Sequence, residues 1–336
     1  MTSAGDRGDQ MPATDQIRAH PLHDEPFLLK VEPGSPDLEL AAWIGGNREW
    51  VADQLHRHGA VLFRGFTVAG PEAFGRAARA FSPSLLDYME RAAPRTEIAD
   101  KVFTSTEFAA DQWIPFHHEM SYAHNWPSRL YFYCDVPPAS GGATPLASER
   151  TVYPRIPAEV RERFLRHGVR YVRNYGPDLD LPWQEVFQTT DREEVAGYCR
   201  ASGTDFQWIG AQGLRTTSTR QAVSRHPVTG ETVWFNHAHI FHVSNMPAEV
   251  SAMLVEEFGH DGLPRNAYYG DGTPIEDEVA GLVRRCYHDA AVSFPWQRGD
   301  VLLVDNWLAG HAREPFGGDR RILVAMSDLH VERGER

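Results

Sequence analysis

The chain has 336 residues, 42% of them hydrophobic and 24% charged, with a formal net charge of -13. That is enough apolar material for a sizeable core, and barrel and sandwich folds reach this length as one unit. The acidic balance repels phosphate backbones and sets nucleic acid aside as a partner. No run approaches the ~18 apolar residues of a membrane span, and the polar opening stretch lacks the apolar core of a secretory signal. Cys134, Cys199 and Cys286 are far apart and form no CxxC pair, so they read as reduced thiols of a cytoplasmic protein.

Residues 1–24 read as a flexible tail, and 25–336 as one domain with an insertion at about 175–262. Order is expected to begin near Pro26-Phe27-Leu28-Leu29. Asn47 to His58 has helical spacing, with Trp50, Val51 and Leu55 on one face. Ala60-Val-Leu-Phe-Arg-Gly65-Phe66 is a short apolar run closed by glycine, a buried strand. Pro71 to Phe81 returns to helix, with proline in its first turn. From about residue 112 strands and turns dominate. Arg129 to Cys134 is an aromatic strand, and Val136 to Gly142 is a turn cluster. Ala158 to His167 and Glu276 to Asp289 are helical, whereas Glu231 to Phe235, Val301 to Val304 and Arg321 to Met326 are strands. The insertion mixes charged helical pieces with irregular stretches and is expected over the mouth of a barrel. The sum is α+β, with a jelly roll as the architecture that closes its own sheet edges.

The chemistry concentrates in Pro115-Phe-His-His-Glu-Met-Ser-Tyr122. On a strand, residues i and i+2 share a face, so His117 and Glu119 would point together and His118 away. A distant histidine would complete two imidazoles and one carboxylate, the facial set that leaves iron(II) open positions for oxygen activation. His311 is the candidate: the strand Val301 to Val304 is anchored in the core, and the polar turn after it delivers His311 to the rim. Nine residues later Arg320 offers a guanidinium, which grips a carboxylate through two parallel hydrogen bonds.

Taken together, His117-x-Glu119, Pro137-Pro-Ala-Ser-Gly-Gly-Ala-Thr144-Pro-Leu, Asp305-Asn306-x5-His311-Ala-Arg-x-Pro-Phe and Arg320 resemble the taurine-dioxygenase (TauD/TfdA) superfamily. The resemblance is nearest to clavaminate-synthase-like and syringomycin-type amino acid hydroxylases, which use glutamate where most relatives use aspartate, and it runs from about residue 55 to 328. It implies a double-stranded β-helix and Fe(II) held by His117, Glu119 and His311. It also implies 2-oxoglutarate chelating the metal through its keto oxygen and one carboxylate, with the other carboxylate on Arg320 and Thr144. O2 would then drive release of succinate and CO2 and hydroxylation of a C–H bond. The implied substrate is an amino acid or derived metabolite of secondary metabolism, free or tethered to a carrier protein. Desaturation or cyclisation would use the same chemistry; halogenation would not, because Glu119 fills the place a halide needs. Many relatives carry a second arginine four residues after the first, and here that position is Val324, so Arg321 is a possible helper.

Several features have plainer readings. His118-Glu119-Met-Ser-Tyr122 fails as a zinc-protease helix, which needs histidines at i and i+4. His118 reads as a support beside the ligands. His237 and His239 have strand spacing without a carboxylate, Arg215 and Arg220 fit ion pairs or a substrate carboxylate, and Trp307 fits the core. A zinc hydrolase also uses two histidines and a glutamate, but has no need of Arg320 and Thr144 in this register. A jelly roll that binds metal without catalysis is the third class, which turnover of 2-oxoglutarate would exclude.

Overall fold

Alternation along four strands builds two cores on the two faces of one sheet. In Ala60–Phe63, Asn125–Val136, Val301–Asp305 and Arg321–Val331 successive side chains point to opposite faces. Leu62, Phe132, Leu302 and Val324 enter the interior of the barrel. Phe63, Tyr133, Val301 and Leu323 enter a second cluster beneath the helices Leu40–Gly46, Arg48–His58 and Gly70–Phe81, where Trp43, Leu55 and Phe74 meet them. The register agrees: Leu302 stands between Leu62 and Phe132, and Val324 opposite Phe132.

This computed structural model describes residues 16–23, 26–87, 95–105, 108–176, 179 and 181–332. The large sheet has eight strands in the order Ile17–Pro21, Leu29–Pro33, Ala60–Phe63, Val301–Asp305, Asn125–Val136, Arg321–Val331, Val102–Thr104 and Glu97–Ala99. A four-stranded sheet, Ala291–Val292, Leu146–Ser148, Ala309–Arg313 and Ile114–His117, closes over its inner face. The result is the expected α+β jelly roll, with helices outside the large sheet.

Two expectations change. The strand Ile17–Pro21 lies within the stretch read as a tail and pairs antiparallel with Leu29–Pro33. It is an edge strand with no buried side chain, so it carries no apolar signature. The insertion at about 175–262 is more regular than its composition suggests. Asp205–Ile209, Gly213–Arg220, Val169–Tyr175 and Arg265–Tyr269 form an antiparallel sheet. The helices Trp183–Phe187 and Arg192–Ala201 pack on it around Val186, Val195 and Leu214. The later part of the insertion belongs to the main core, where Val233, Trp234, Phe235 and Phe241 are buried.

Candidate metal centre

The small sheet brings two histidines together. His311 on Ala309–Arg313 is the direct cross-strand partner of His117 on Ile114–His117, and their ring centroids are 4.1 Å apart. The expected strand ends at His117, so Glu119 does not reach the site by strand parity. It stands at the start of a turn in which the next residue, Met120, takes φ of 59°. Asn306 replaces the missing ladder: its Oδ1 accepts from Glu119 N–H at 2.8 Å, and its Nδ2 donates to the Glu119 carbonyl at 2.9 Å. His117, Glu119 and His311 each offer one ligand atom, and these atoms lie within 4.8 Å of one another.

The donors suit iron(II). His117 directs Nδ1 to the Pro115 carbonyl at 2.8 Å, which places the proton there and leaves the Nε2 lone pair for a metal. His311 has a buried Nδ1 with no hydrogen-bond partner among the described residues. Burial lowers the pKa of His117, and burial together with the neighbouring His117 holds His311 well below the usual imidazole range. Both rings are therefore neutral, as a metal ligand requires. The Glu119 carboxylate is ion-paired, its Oε2 accepting from Arg95 Nη2 at 2.8 Å.

A cleft opens from His117 and His311 towards Arg320, with Phe132, Ile322 and Val324 on its wall. Arg320 precedes the strand Arg321–Val331 and donates Nε to the Gly142 carbonyl at 2.8 Å. Longer contacts of 3.4 Å run from its Nη atoms to the hydroxyls of Ser105 and Thr144. Thr144 also accepts from Trp296 Nε1 at 3.2 Å, which frees its own proton to be donated into the cleft. Burial brings the Arg320 pKa down to about 10, still charged at neutral pH. Arg321 lies outside the cleft, exposed and paired with Asp135. Gly142 has φ of +68°, and a Cβ there would stand 2.8 Å from Phe316 Cβ and 3.1 Å from Arg320 Cδ. Only glycine lets this turn approach the arginine so closely.

The remaining residues separate by their partners. His118 is fully buried and turned away, Nδ1 2.6 Å from the Asn306 carbonyl and Nε2 3.0 Å from Glu149. Tyr287 donates to the same Glu149 oxygen at 2.7 Å. His237 and His239 are not on a strand: His237 precedes the helical turn Ala238–Phe241, and His239 lies within it. The His237 ring faces His117 at 5.9 Å and its Nδ1 meets Ser121 Oγ at 2.7 Å, whereas His239 bonds the Phe116 carbonyl and stacks on Tyr287. Arg215 faces Asp261, Arg220 bonds Thr204, and Trp307 is buried in the core with Nε1 on Ser224.

His56, His226 and Asp305 also place ligand atoms within 4.8 Å. There, however, His226 Nδ1 accepts the Thr229 N–H at 2.9 Å, so Nε2 carries the proton and donates to Asp305 at 3.0 Å. The other Asp305 oxygen accepts from Trp307 and Leu308 N–H. The group locks the turn that presents Asn306.

Sequence reasoning missed three residues. Arg95 falls in a polar stretch without periodicity. Asn306 is visible in the motif, but nothing in its spacing shows which backbone it holds. Arg173 lies on the inner face of the insertion's sheet, lining a cavity with Tyr122, Tyr171, Thr216 and Ser218.

A jelly roll with two imidazoles and a carboxylate at one end, and an arginine-floored cleft beside them, is the arrangement of an oxygen-activating non-haem iron enzyme. The family pattern for taurine catabolism dioxygenase TauD, TfdA family, matches residues 24–326, and the chain belongs to that family. It is an Fe(II)- and 2-oxoglutarate-dependent dioxygenase, with O2 as the second cosubstrate. The dapdiamide synthesis protein DdaC of Enterobacter agglomerans is 39% identical over 274 residues, covering 82% of this chain and 83% of that protein. A clavaminate synthase-like protein of Arabidopsis thaliana is 34% identical over 321 residues, covering 90% and 94%. In fold, the chain is similar to PvcB, an Fe, alpha-ketoglutarate dependent oxygenase from an isonitrile synthetic pathway. The TM-score is 0.53 at 20% identity, covering 93% and 91% of the two chains.

Proposed function

We propose that this enzyme hydroxylates an unactivated C–H bond of an amino acid or amino-acid-derived metabolite, free or carrier-tethered, in secondary metabolism. The observation that carries the reading is the convergence of His117, Glu119 and His311 at one end of the cleft whose floor is Arg320 and Thr144. Bound iron(II) supplies the oxidative chemistry, in which 2-oxoglutarate loses CO2 to become succinate while O2 is consumed. The protein's part is positional. His117, Glu119 and His311 hold the metal. Arg320 and Thr144 hold the far carboxylate of the cosubstrate, and Phe132, Ile322 and Val324 keep water from its carbon chain.

The sheet that the insertion forms with its flanking strands carries the substrate contacts in this reading. Arg173 and Tyr171 alternate on one strand, and their cross-strand partners are Thr216 and Ser218, so a guanidinium and three hydroxyls share one sheet face. Tyr122 lines the same cavity and meets the ring of His237, which in turn faces His117. A cationic, hydroxyl-rich recess beside the metal suits a substrate carboxylate. No helix among the described residues is long and apolar enough to cross a membrane. Cys134, Cys199 and Cys286 are buried, which suits the reducing cytoplasm, where we place the enzyme.

The test is succinate formation from 2-oxoglutarate with a panel of free and carrier-loaded amino acids, followed by product mass. Gain of one oxygen atom supports hydroxylation. Loss of two hydrogens would replace it with desaturation or cyclisation, and no amino-acid-dependent turnover would sink the substrate class.

A further inference from the structure

One oxygen of the Glu119 carboxylate is already engaged. Oε2 accepts from Arg95 Nη2 at 2.8 Å, and both side chains are almost fully buried, at 5% and 4% exposure. A charge-assisted hydrogen bond in such a place is strong, because water does not compete for either partner. Arg95 also lines the cleft that contains His117 and His311, so the guanidinium stands beside the ligand cluster.

Counting coordination positions gives this ion pair a purpose. Octahedral iron(II) has six. His117, His311 and one Glu119 oxygen would take three, and a chelating 2-oxoglutarate two. One is left for O2, and a second Glu119 oxygen would fill it. Glutamate is prone to this, being one methylene longer than aspartate, with an extra torsion. Asn306 fixes only the Glu119 backbone, leaving the side-chain torsions to other contacts. We infer that Arg95 is a positioning residue that restricts Glu119 to one metal-binding oxygen and so keeps the O2 position open. The inference rests on His117, Glu119 and His311 being the metal ligands.

The same guanidinium has a second effect of opposite sign. Its positive charge repels a metal cation and draws charge from the carboxylate. Removing it should therefore tighten metal binding while closing the position O2 needs. A residue that merely supports the fold would loosen metal binding when removed, so the sign separates the two roles.

The experiment uses the full chain, without oxygen, as wild type, Arg95→Met, Arg95→Gln and Arg95→Lys. Mn(II) affinity is measured by titration. Nitric oxide, an O2 surrogate, is titrated into the Fe(II) and 2-oxoglutarate complex and read by electron paramagnetic resonance. The expected result for Arg95→Met and Arg95→Gln is Mn(II) binding tighter by about threefold or more, and nitric oxide binding weaker by about tenfold or more. Arg95→Lys, which keeps the charge and a donor, should recover much of both. Nitric oxide binding at the wild-type level in Arg95→Met or Arg95→Gln would overturn the inference, as would weakened Mn(II) binding in both. Should Arg95→Met not fold, the glutamine and lysine variants give the same readout. Wild-type protein that took up no Mn(II) would instead overturn the metal-site reading itself, and this inference with it.

Discussion

Asn306 holds Glu119 by both ends of its peptide group, across 187 residues of chain. Its Nδ2 also donates to the Pro127 carbonyl at 2.8 Å, so one side chain ties the turn after Ile114–His117 to the start of the long central strand. Asn306→Asp would keep the acceptor for Glu119 N–H and lose both donors. We expect Fe(II) affinity to fall by about tenfold to a hundredfold, the usual cost of losing an outer support of a metal ligand, with 2-oxoglutarate binding to the metal-loaded form little changed. Metal titration with Mn(II) reads this directly, and unchanged affinity would show that the clamp is dispensable.

His118 and its neighbours should separate by what they lose. Under the proposed assignment His117→Ala, Glu119→Ala and His311→Ala each remove a metal ligand, so metal content and activity should nearly vanish while the fold persists. His118→Ala should retain metal and lose stability by about 2 kcal/mol or more, because it leaves Glu149 buried without one of its partners. Urea denaturation and metal analysis on the four variants form the check. Loss of iron from His118→Ala but not from His117→Ala would refute the ligand assignment.

Arg320→Lys should raise the half-saturating 2-oxoglutarate concentration at least about tenfold, since an ammonium cannot replace a planar two-donor fork. Arg321→Lys should do little, its side chain being exposed and paired with Asp135. Gly142→Ala should resemble Arg320→Lys, because its methyl group would crowd Phe316 and the Arg320 side chain. If Arg321→Lys proved the impaired variant, the cosubstrate would bind from the opposite face of the strand.

Stability without metal should depend on pH through buried neutral histidines. Burial lowers His239 to about 3, whereas in the unfolded chain it titrates near 6.5. The folded state thus binds fewer protons over that interval, and stability falls as pH drops below about 6.5, by roughly 1.4 kcal/mol per pH unit for each such group. His239→Gln should remove one proton's worth of that slope between pH 6.5 and 5. Equal slopes in the two proteins, measured by urea unfolding, would show that His239 is not neutral in the fold.

What could be read from sequence follows the range of the interaction. The two-faced strands are visible because alternation encodes them, and His117, His311 and Arg320 stand out because they lie in the motifs that resemble the family. The placement of Glu119 shows the limit: its carboxylate joins the cluster, but the strand stops at His117 and a distant asparagine holds the residue in a turn. Arg95 leaves no trace, since its pairing with Glu119 is made through space rather than along the sequence. The sheet of the insertion was obscured because its inner face carries Arg173, Thr216 and Ser218, and polar alternation does not announce a buried surface. His237 and His239 look like a strand by spacing until the helical turn that carries them is seen.

The clamp between Asn306 and Glu119 also bears on the order of events in the protein's life. A ribosome making this chain releases His117 and Glu119 long before it reaches Asn306 and His311. During that interval the nascent chain holds an incomplete set of donors, able to touch a metal but not to enclose it. Under the proposed assignment the full donor set therefore comes together only once the last strands have joined both sheets.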